Sequence, residues 1–415
     1  MKGHHDVTKT QCSINILVSS FFDLDHLFWR YKHKKSRMSV SKMLMNIASK
    51  VAQSRVNVDF KKGGGTEVDK IAPYPKGIID DSVEILKSST GIEYVKTPEQ
   101  HFQNLEDYNY QPKYQEVNSL QMHYVDEGPE DGEVILMLHG QPTWSFLYRK
   151  MINYLVPKGY RCIAPDMIGM GKSDKPINES YHTYDQHCND ILEFIKKRKI
   201  KNATLFIQDW GSVIGLRLAG EYSDLFTRVV LANGDLPAYT TDGNPLYIPS
   251  PLKVDPKIQS LKLAMLKHSG QGMMASFQSW VLFCLQTTRL FSGEVVEMMT
   301  HQKMTPGARK GYDAPFPSFI YNTGPRMLPS MTAGMRGQTL KALEGLSNYE
   351  KPFLSIIGTK DRLLGRKAIQ ERWIKHVPGA QGLNHEQYSD ANHFIQEDIG
   401  ERLDKRVEDL IVNGK

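Results

Sequence analysis

The segment 119–125, SLQMHYV, alternates between apolar and polar residues and predicts a strand at the edge of a sheet. The segment 133–138, with the apolar tract VILML at 134–138, predicts a second strand, which ends at His139-Gly140. Helical periodicity over 145–155, a strand at 160–164 and a helix over 184–198 follow. Then come a strand at 203–208, a helix from about 212 and a strand at 227–232. Strands that alternate with helices form a mostly parallel sheet covered on both faces.

The alternation stops between about 235 and 345, where helical, aromatic and methionine-rich segments replace the strands. It resumes with Pro352-Phe-Leu-Ser-Ile-Ile-Gly358. The fold class read from this order is α/β: a doubly wound, mostly parallel sheet with a helical cap inserted between two of its strands. Ligands of such sheets bind beyond the carboxyl ends of the strands, so the insertion would cover the site. The expected organisation is an N-terminal extension over 1–90, a first core part over 91–234, a cap over 235–345 and a second core part over 346–415.

Charge sets the first 90 residues apart. They carry 15 Lys/Arg and 9 Asp/Glu, whereas the remainder carries 37 of each. The whole formal excess of +6 therefore belongs to the extension, which argues against nucleic-acid binding by the folded domain. The extension holds a basic cluster at 31–37, an amphipathic helical stretch at 38–54 and a glycine break at 61–65. A surface helix or poorly ordered tail is the expected reading, with a targeting peptide, mitochondrial in type, as its alternative. Four scattered cysteines (Cys12, Cys162, Cys188 and Cys284) show neither zinc nor disulfide spacing, so a reducing, cytoplasmic setting is the default. No run of about 18 apolar residues occurs, and stable membrane insertion is not expected.

The chemistry concentrates at the ends of strands. In Leu205-Phe-Ile-Gln-Asp-Trp-Gly-Ser212, Asp209 stands at a strand-to-helix elbow, where many hydrolases place a serine. Asp361 follows the strand 353–358, and His393 lies in Ser389-Asp-Ala-Asn-His-Phe. Nucleophile, acid and histidine thus occur in the chain order of a triad on a doubly wound sheet. Leu138-His-Gly-Gln-Pro-Thr-Trp144 supplies a turn after the first strong strand. The backbone amides of Gln141 and Trp210 are candidates for an oxyanion hole. The stretch 166–173 superficially suggests a phosphate loop, but Asp166 occupies the position of the first glycine, so a tight turn is the better reading. No metal spacing and no cofactor motif occurs, and neither group is expected.

These segments together resemble the haloalkane dehalogenases of the α/β-hydrolase superfamily. The resemblance runs over about residues 92–412. It rests on His-Gly-Gln-Pro-Thr-Trp-Ser (139–145), Pro-Asp-Met-Ile-Gly-Met-Gly-Lys-Ser-Asp-Lys-Pro (165–176) and Gln-Asp-Trp-Gly-Ser (208–212). It rests also on Tyr-Asp-Ala-Pro-Phe-Pro (312–317), Gly-Thr-Lys-Asp-Arg-Leu-Leu-Gly (358–365) and Asp-Ala-Asn-His-Phe-Ile-Gln-Glu (390–397). The chain is similar to the subgroup with an Asp-His-Asp triad and a Trp-Trp halide site. That resemblance implies Asp209 as nucleophile, His393 as base and Asp361 as its partner. It implies halide donors at Trp210 and at a cap tryptophan, for which Trp280 is the candidate. Gln141 departs from the pattern, since an acidic residue also occurs at that position in the family. The implied substrate is a small apolar haloalkane and the released ligand a halide ion, with the protein a monomer or weak homo-oligomer.

Two alternatives remain open at this point. An epoxide hydrolase would use the same nucleophile with acidic cap tyrosines, for which Tyr239, Tyr247, Tyr312 and Tyr321 are candidates. A non-catalytic binding protein could retain the fold without turnover. Phe277, Phe283, Phe316 and Phe319 could line an apolar pocket or simply pack.

Overall fold

The computed structural model describes residues 83–237, 277, 280, 281, 283–285, 287, 290–332 and 335–414. The leader readings at 1–82, and Tyr239 and Tyr247, lie outside the described residues.

Eight strands form the main sheet: β1 (Lys113–Val117), β2 (Leu120–Glu127), β3 (Val134–Leu138), β4 (Arg161–Pro165), β5 (Ala203–Gln208), β6 (Phe226–Ala232), β7 (Phe353–Gly358) and β8 (Glu386–Tyr388). Their spatial order is β1-β2-β4-β3-β5-β6-β7-β8, parallel from β4 onward and antiparallel at β1 and β2. A small antiparallel sheet joins Leu86–Lys87, Glu93–Val95 and Lys175–Pro176. The expected edge strand at 119–125 is not an edge, because β1 pairs outside it. β1 escaped notice because KYQEV fully buries only Val117 and presents little apolar signal.

Alternation along the strands divides the core into two layers. Leu136 and Leu138 of β3 and Leu205 and Ile207 of β5 face one layer. Ile135, Met137 and Phe206 face the other. In chain order the described helices are α1 (Arg149–Leu155), α2 (Tyr184–Lys197), α3 (Trp210–Glu221), α4 (Ser292–Met298), α5 (Pro306–Asp313), α6 (Thr323–Met327), α7 (Arg336–Leu346), α8 (Lys367–His376) and α9 (Ile395–Asn413). Apolar residues of α2, α3, α7 and α8 fill the first layer, and those of α1, α5 and α9 fill the second. Helix starts follow local chemistry: the Thr183 hydroxyl accepts from Gln186 N–H, and the Thr305 hydroxyl accepts from Ala308 N–H just before Pro306.

β6 and β7 are hydrogen-bonded neighbours although the chain between them runs from Ala232 to Phe353. The described part of that connection holds α4 to α7. One of them, α5, is pinned to the core through a buried ionic cluster. Arg149 reaches Glu397 at 2.5 and 3.2 Å, the Tyr312 hydroxyl donates to Glu397 at 2.6 Å, and Lys150 donates at 2.7 Å. Burial opposes the charge on Glu397, yet the two cations hold its carboxyl down at about 2. Among the described residues no helix is long and apolar enough to cross a membrane.

Candidate active site

Asp209 caps α3 at the carboxyl end of β5, with φ 52° and ψ −126°. A side chain rarely adopts that backbone, and the strain lifts the residue out of the turn. Two glycines make room for it. A Cβ on Gly140 would lie 2.2 Å from Asp209 Oδ1, and one on Gly211 would lie 1.9 Å from the Leu138 carbonyl. The loop after β3 can therefore press its backbone onto the carboxylate, and Gln141 N–H donates to Asp209 Oδ1 at 2.7 Å.

That loop is fixed from behind. His139 Nε2 accepts from Met167 N–H at 3.0 Å, so its proton sits on Nδ1 and is donated to the Gly140 carbonyl at 2.9 Å. Burial keeps His139 below the usual histidine range. Asp166, fully buried, accepts from Ser145 N–H, Lys172 N–H and the His123 ring at 2.7–2.8 Å. The glycine-rich stretch is thus a turn wrapped around its own aspartate, as its residue types suggested.

Asp361 and His393 converge on Asp209. His393 Nδ1 lies 2.8 Å from Asp361 Oδ2, and its Nε2 lies 3.3 Å from Asp209 Oδ2. Burial opposes a charge on His393, but the two carboxylates outweigh it and carry its protonation up to about 10. Burial would raise the Asp361 carboxyl, but the imidazole beside it, the Asn233 amide and a Leu364 N–H hold it below the usual range. Leu363 and Leu364 N–H both donate to its Oδ1, at 2.8 and 3.0 Å.

Two residues of this constellation had no role in the sequence reading. Asn233, just past β6, donates to Asp361 Oδ2 at 2.9 Å and accepts from Gly358 N–H at 2.6 Å. Gln208, the last residue of β5, places its Nε2 3.1 Å from His393 Nε2 and 3.1 Å from the His393 carbonyl. Both are polar residues at strand ends, the same signal that singled out Asp209 and Asp361.

The remaining expected positions are spread more widely. Trp210 is buried and opens α3. Trp280 is helical, half-buried and stacked on Phe283 at 5.7 Å between ring centroids. The same helical stretch meets the site at Cys284, whose Sγ lies 3.8 Å from Gln141 Nε2. Gln141 Nε2 also donates to the Pro325 carbonyl at 3.0 Å, so its side chain ties the loop to the inserted helices. Phe316 packs in the first core layer, and the Arg326 guanidinium lies over Phe319 at 4.4 Å. Tyr321 is buried in the same layer, while the Tyr312 hydroxyl is committed to Glu397. Among the described residues no cluster of three or more His, Cys, Asp or Glu side chains could hold a metal ion.

Residues 133–257 match the family described as the alpha/beta hydrolase fold. A haloalkane dehalogenase of Mycobacterium marinum is 40% identical over 326 residues, covering 76% of this chain and 99% of its own. Another, of Mycolicibacterium paratuberculosis, is 38% identical, covering 75% of this chain and 96% of its own. The tetrameric structure of haloalkane dehalogenase DpaA from Paraglaciecola agarilytica NO2 superposes with a TM-score of 0.61 at 30% identity, over 76% of this chain and 97% of that one.

Proposed function

The chain belongs to the haloalkane dehalogenase family of α/β-hydrolases, and from that premise we propose that it hydrolyses carbon–halogen bonds through a covalent ester on Asp209. The observation that carries the reading is the opposed use of the two carboxylate oxygens. Oδ1 accepts the Gln141 amide at 2.7 Å, and Oδ2 faces the imidazole at 3.3 Å. In the first step Oδ2 attacks the carbon bearing the halogen, and the bonding pair leaves with the halide. The indole N–H groups of Trp210 and Trp280 stabilise the departing anion, each a donor without formal charge. This is the subgroup with an Asp-His-Asp triad and two tryptophan halide donors, and the described helices α4 to α7 belong to its cap.

Oδ1 then remains as the ester carbonyl. Esterification removes the charge of Asp209, and one of the two carboxylates that hold His393 protonated is gone. Neutral His393 takes a proton from water while Asp361 accepts the Nδ1–H and steadies the cation that forms. Hydroxide attacks the Asp209 carboxyl carbon. The oxyanion develops on Oδ1, against the Gln141 and Trp210 amides. Collapse expels the alcohol, which takes its proton from His393, and the Asp209 carboxyl gives the remaining water proton to solvent as its carboxylate returns.

The epoxide alternative is weakened at Tyr312, whose hydroxyl already donates to Glu397 in the core. The deciding assay supplies purified protein with 1-bromobutane and 1,2-dibromoethane, and styrene oxide in parallel. Halide with an equal amount of alcohol is the expected result. Diol from the epoxide without halide release would replace this reading with an epoxide hydrolase.

A further inference from the structure

We propose that Gln208 is a positioning residue that holds His393 in its neutral, proton-accepting form during ester hydrolysis. The inference rests on the reading of His393 as the base and deepens it.

Gln208 is fully buried at the end of β5. Its Nε2 lies 3.1 Å from the His393 carbonyl oxygen. A carbonyl only accepts, so the NH2 end of the amide must face it, and this fixes which way round the amide sits. The second N–H of the same group is then directed at His393 Nε2, also at 3.1 Å. It can bond there only to a lone pair. Nε2 carries one only when the ring is neutral with its proton on Nδ1, where Asp361 Oδ2 lies at 2.8 Å. In the imidazolium form, N–H would face N–H. The Oε1 of Gln208 meanwhile has no hydrogen-bond partner and is buried. An acceptor left unmatched in the core is destabilising, and an apolar residue would avoid it. Both donors of the same amide are spent on His393, which gives the polar residue a use that packing does not.

The ring feels opposed influences. Asp361, from the loop after β7, and Asp209, from the elbow after β5, are the charged groups acting on it, and both favour the cation. The Asp209 carboxylate acts also on the buried Tyr148 hydroxyl and the His139 ring. Phe394 meets the ring edge-on at 4.7 Å. Gln208 favours the neutral form. In the free enzyme two carboxylates oppose one amide. In the ester only Asp361 remains, and the amide tips the balance towards the base. Water must displace the Gln208 N–H from the lone pair as it gives up its proton. The resulting clash of donors then favours passing that proton on to the leaving alcohol.

The test is rapid-quench kinetics on the full chain with 1-bromobutane, following the halide burst and alcohol release separately across pH. Ester hydrolysis needs neutral His393, so its rate rises with pH through the midpoint of that group. Gln208→Met keeps the length and removes the donors. Gln208→Glu replaces them with a carboxylate. The midpoint should move up by about one pH unit in Gln208→Met and further in Gln208→Glu. A burst with an unmoved midpoint in both variants overturns the proposal. No burst in the unsubstituted enzyme would instead defeat the ester reading beneath it. A second measurement leaves Gln208 in place: imidazole ¹⁵N spectra of Asp209→Asn, whose neutral amide stands in for the ester. A neutral ring protonated on Nδ1 at pH 7 is expected, and an imidazolium there overturns the proposal.

Discussion

Gln141 N–H donates to Asp209 Oδ1 at 2.7 Å. The amide that would stabilise an oxyanion already holds one oxygen of the resting carboxylate. A serine at this elbow has one oxygen, which must attack a carbonyl supplied by the substrate. An aspartate has two: in the proposed mechanism one attacks saturated carbon, and the other becomes the carbonyl that water later attacks. Asp209→Asn should therefore lose halide release by about ten-thousand-fold or more while keeping its fold. Halide assay and circular dichroism together check this.

Asn233 should matter through the acid it serves, with a smaller effect than loss of that acid. Its amide donates to Asp361 at 2.9 Å, a bond to a charged group in a buried setting. Asn233→Ala should slow ester hydrolysis by about tenfold to a hundredfold, with a smaller effect on the halide burst. Asp361→Asn should slow hydrolysis by about a thousandfold or more. Pre-steady-state separation of halide and alcohol checks both.

The two tryptophans should be separable from the hydrolytic machinery. On the proposed mechanism, Trp280→Phe and Trp210→Phe each remove one N–H from the departing halide. Each should cut the first step roughly a hundredfold and weaken bromide binding, read as loss of fluorescence quenching by bromide. Unchanged bromide binding in Trp280→Phe would assign that residue to packing with Phe283 alone.

Much of this arrangement was legible in the sequence. Apolar runs placed β3 to β7, because strands buried on both faces leave an unmistakable apolar block such as VILML or ATLFIQ. Asp209, Asp361 and His393 stood out because each follows a strand or sits in a late loop. Asn233 and Gln208 did not, because their roles depend on which strands lie side by side. β6 neighbours β7 only across the long insertion, and nothing in the local pattern of either announces the pairing. The cap tryptophan came from family resemblance, and no periodicity distinguishes it from a packing residue.

Asp404 gives a pH prediction independent of the active site. It is buried on α9, and its Oδ1 has no hydrogen-bond partner. Burial, reinforced by Glu401, pushes its carboxyl up to about 8. Between the usual carboxylate range and that value the unfolded chain gives up the proton while the folded chain keeps it. Stability from this group is therefore present at acid pH and falls as pH rises through that window. Asp404→Asn should raise stability by about 2 kcal/mol at pH 8 and by little at pH 4. Thermal melts of both proteins at the two pH values check the sign.

The most direct test of the account is intact mass spectrometry of His393→Phe after mixing with 1-bromobutane. Without its base the enzyme should release one halide per molecule and then stop. It should retain the mass of one added butyl group, and peptide mapping should place that group on Asp209. Sustained butanol production by His393→Phe, or halide release with no alkylated protein at any time, would contradict the mechanism at its centre.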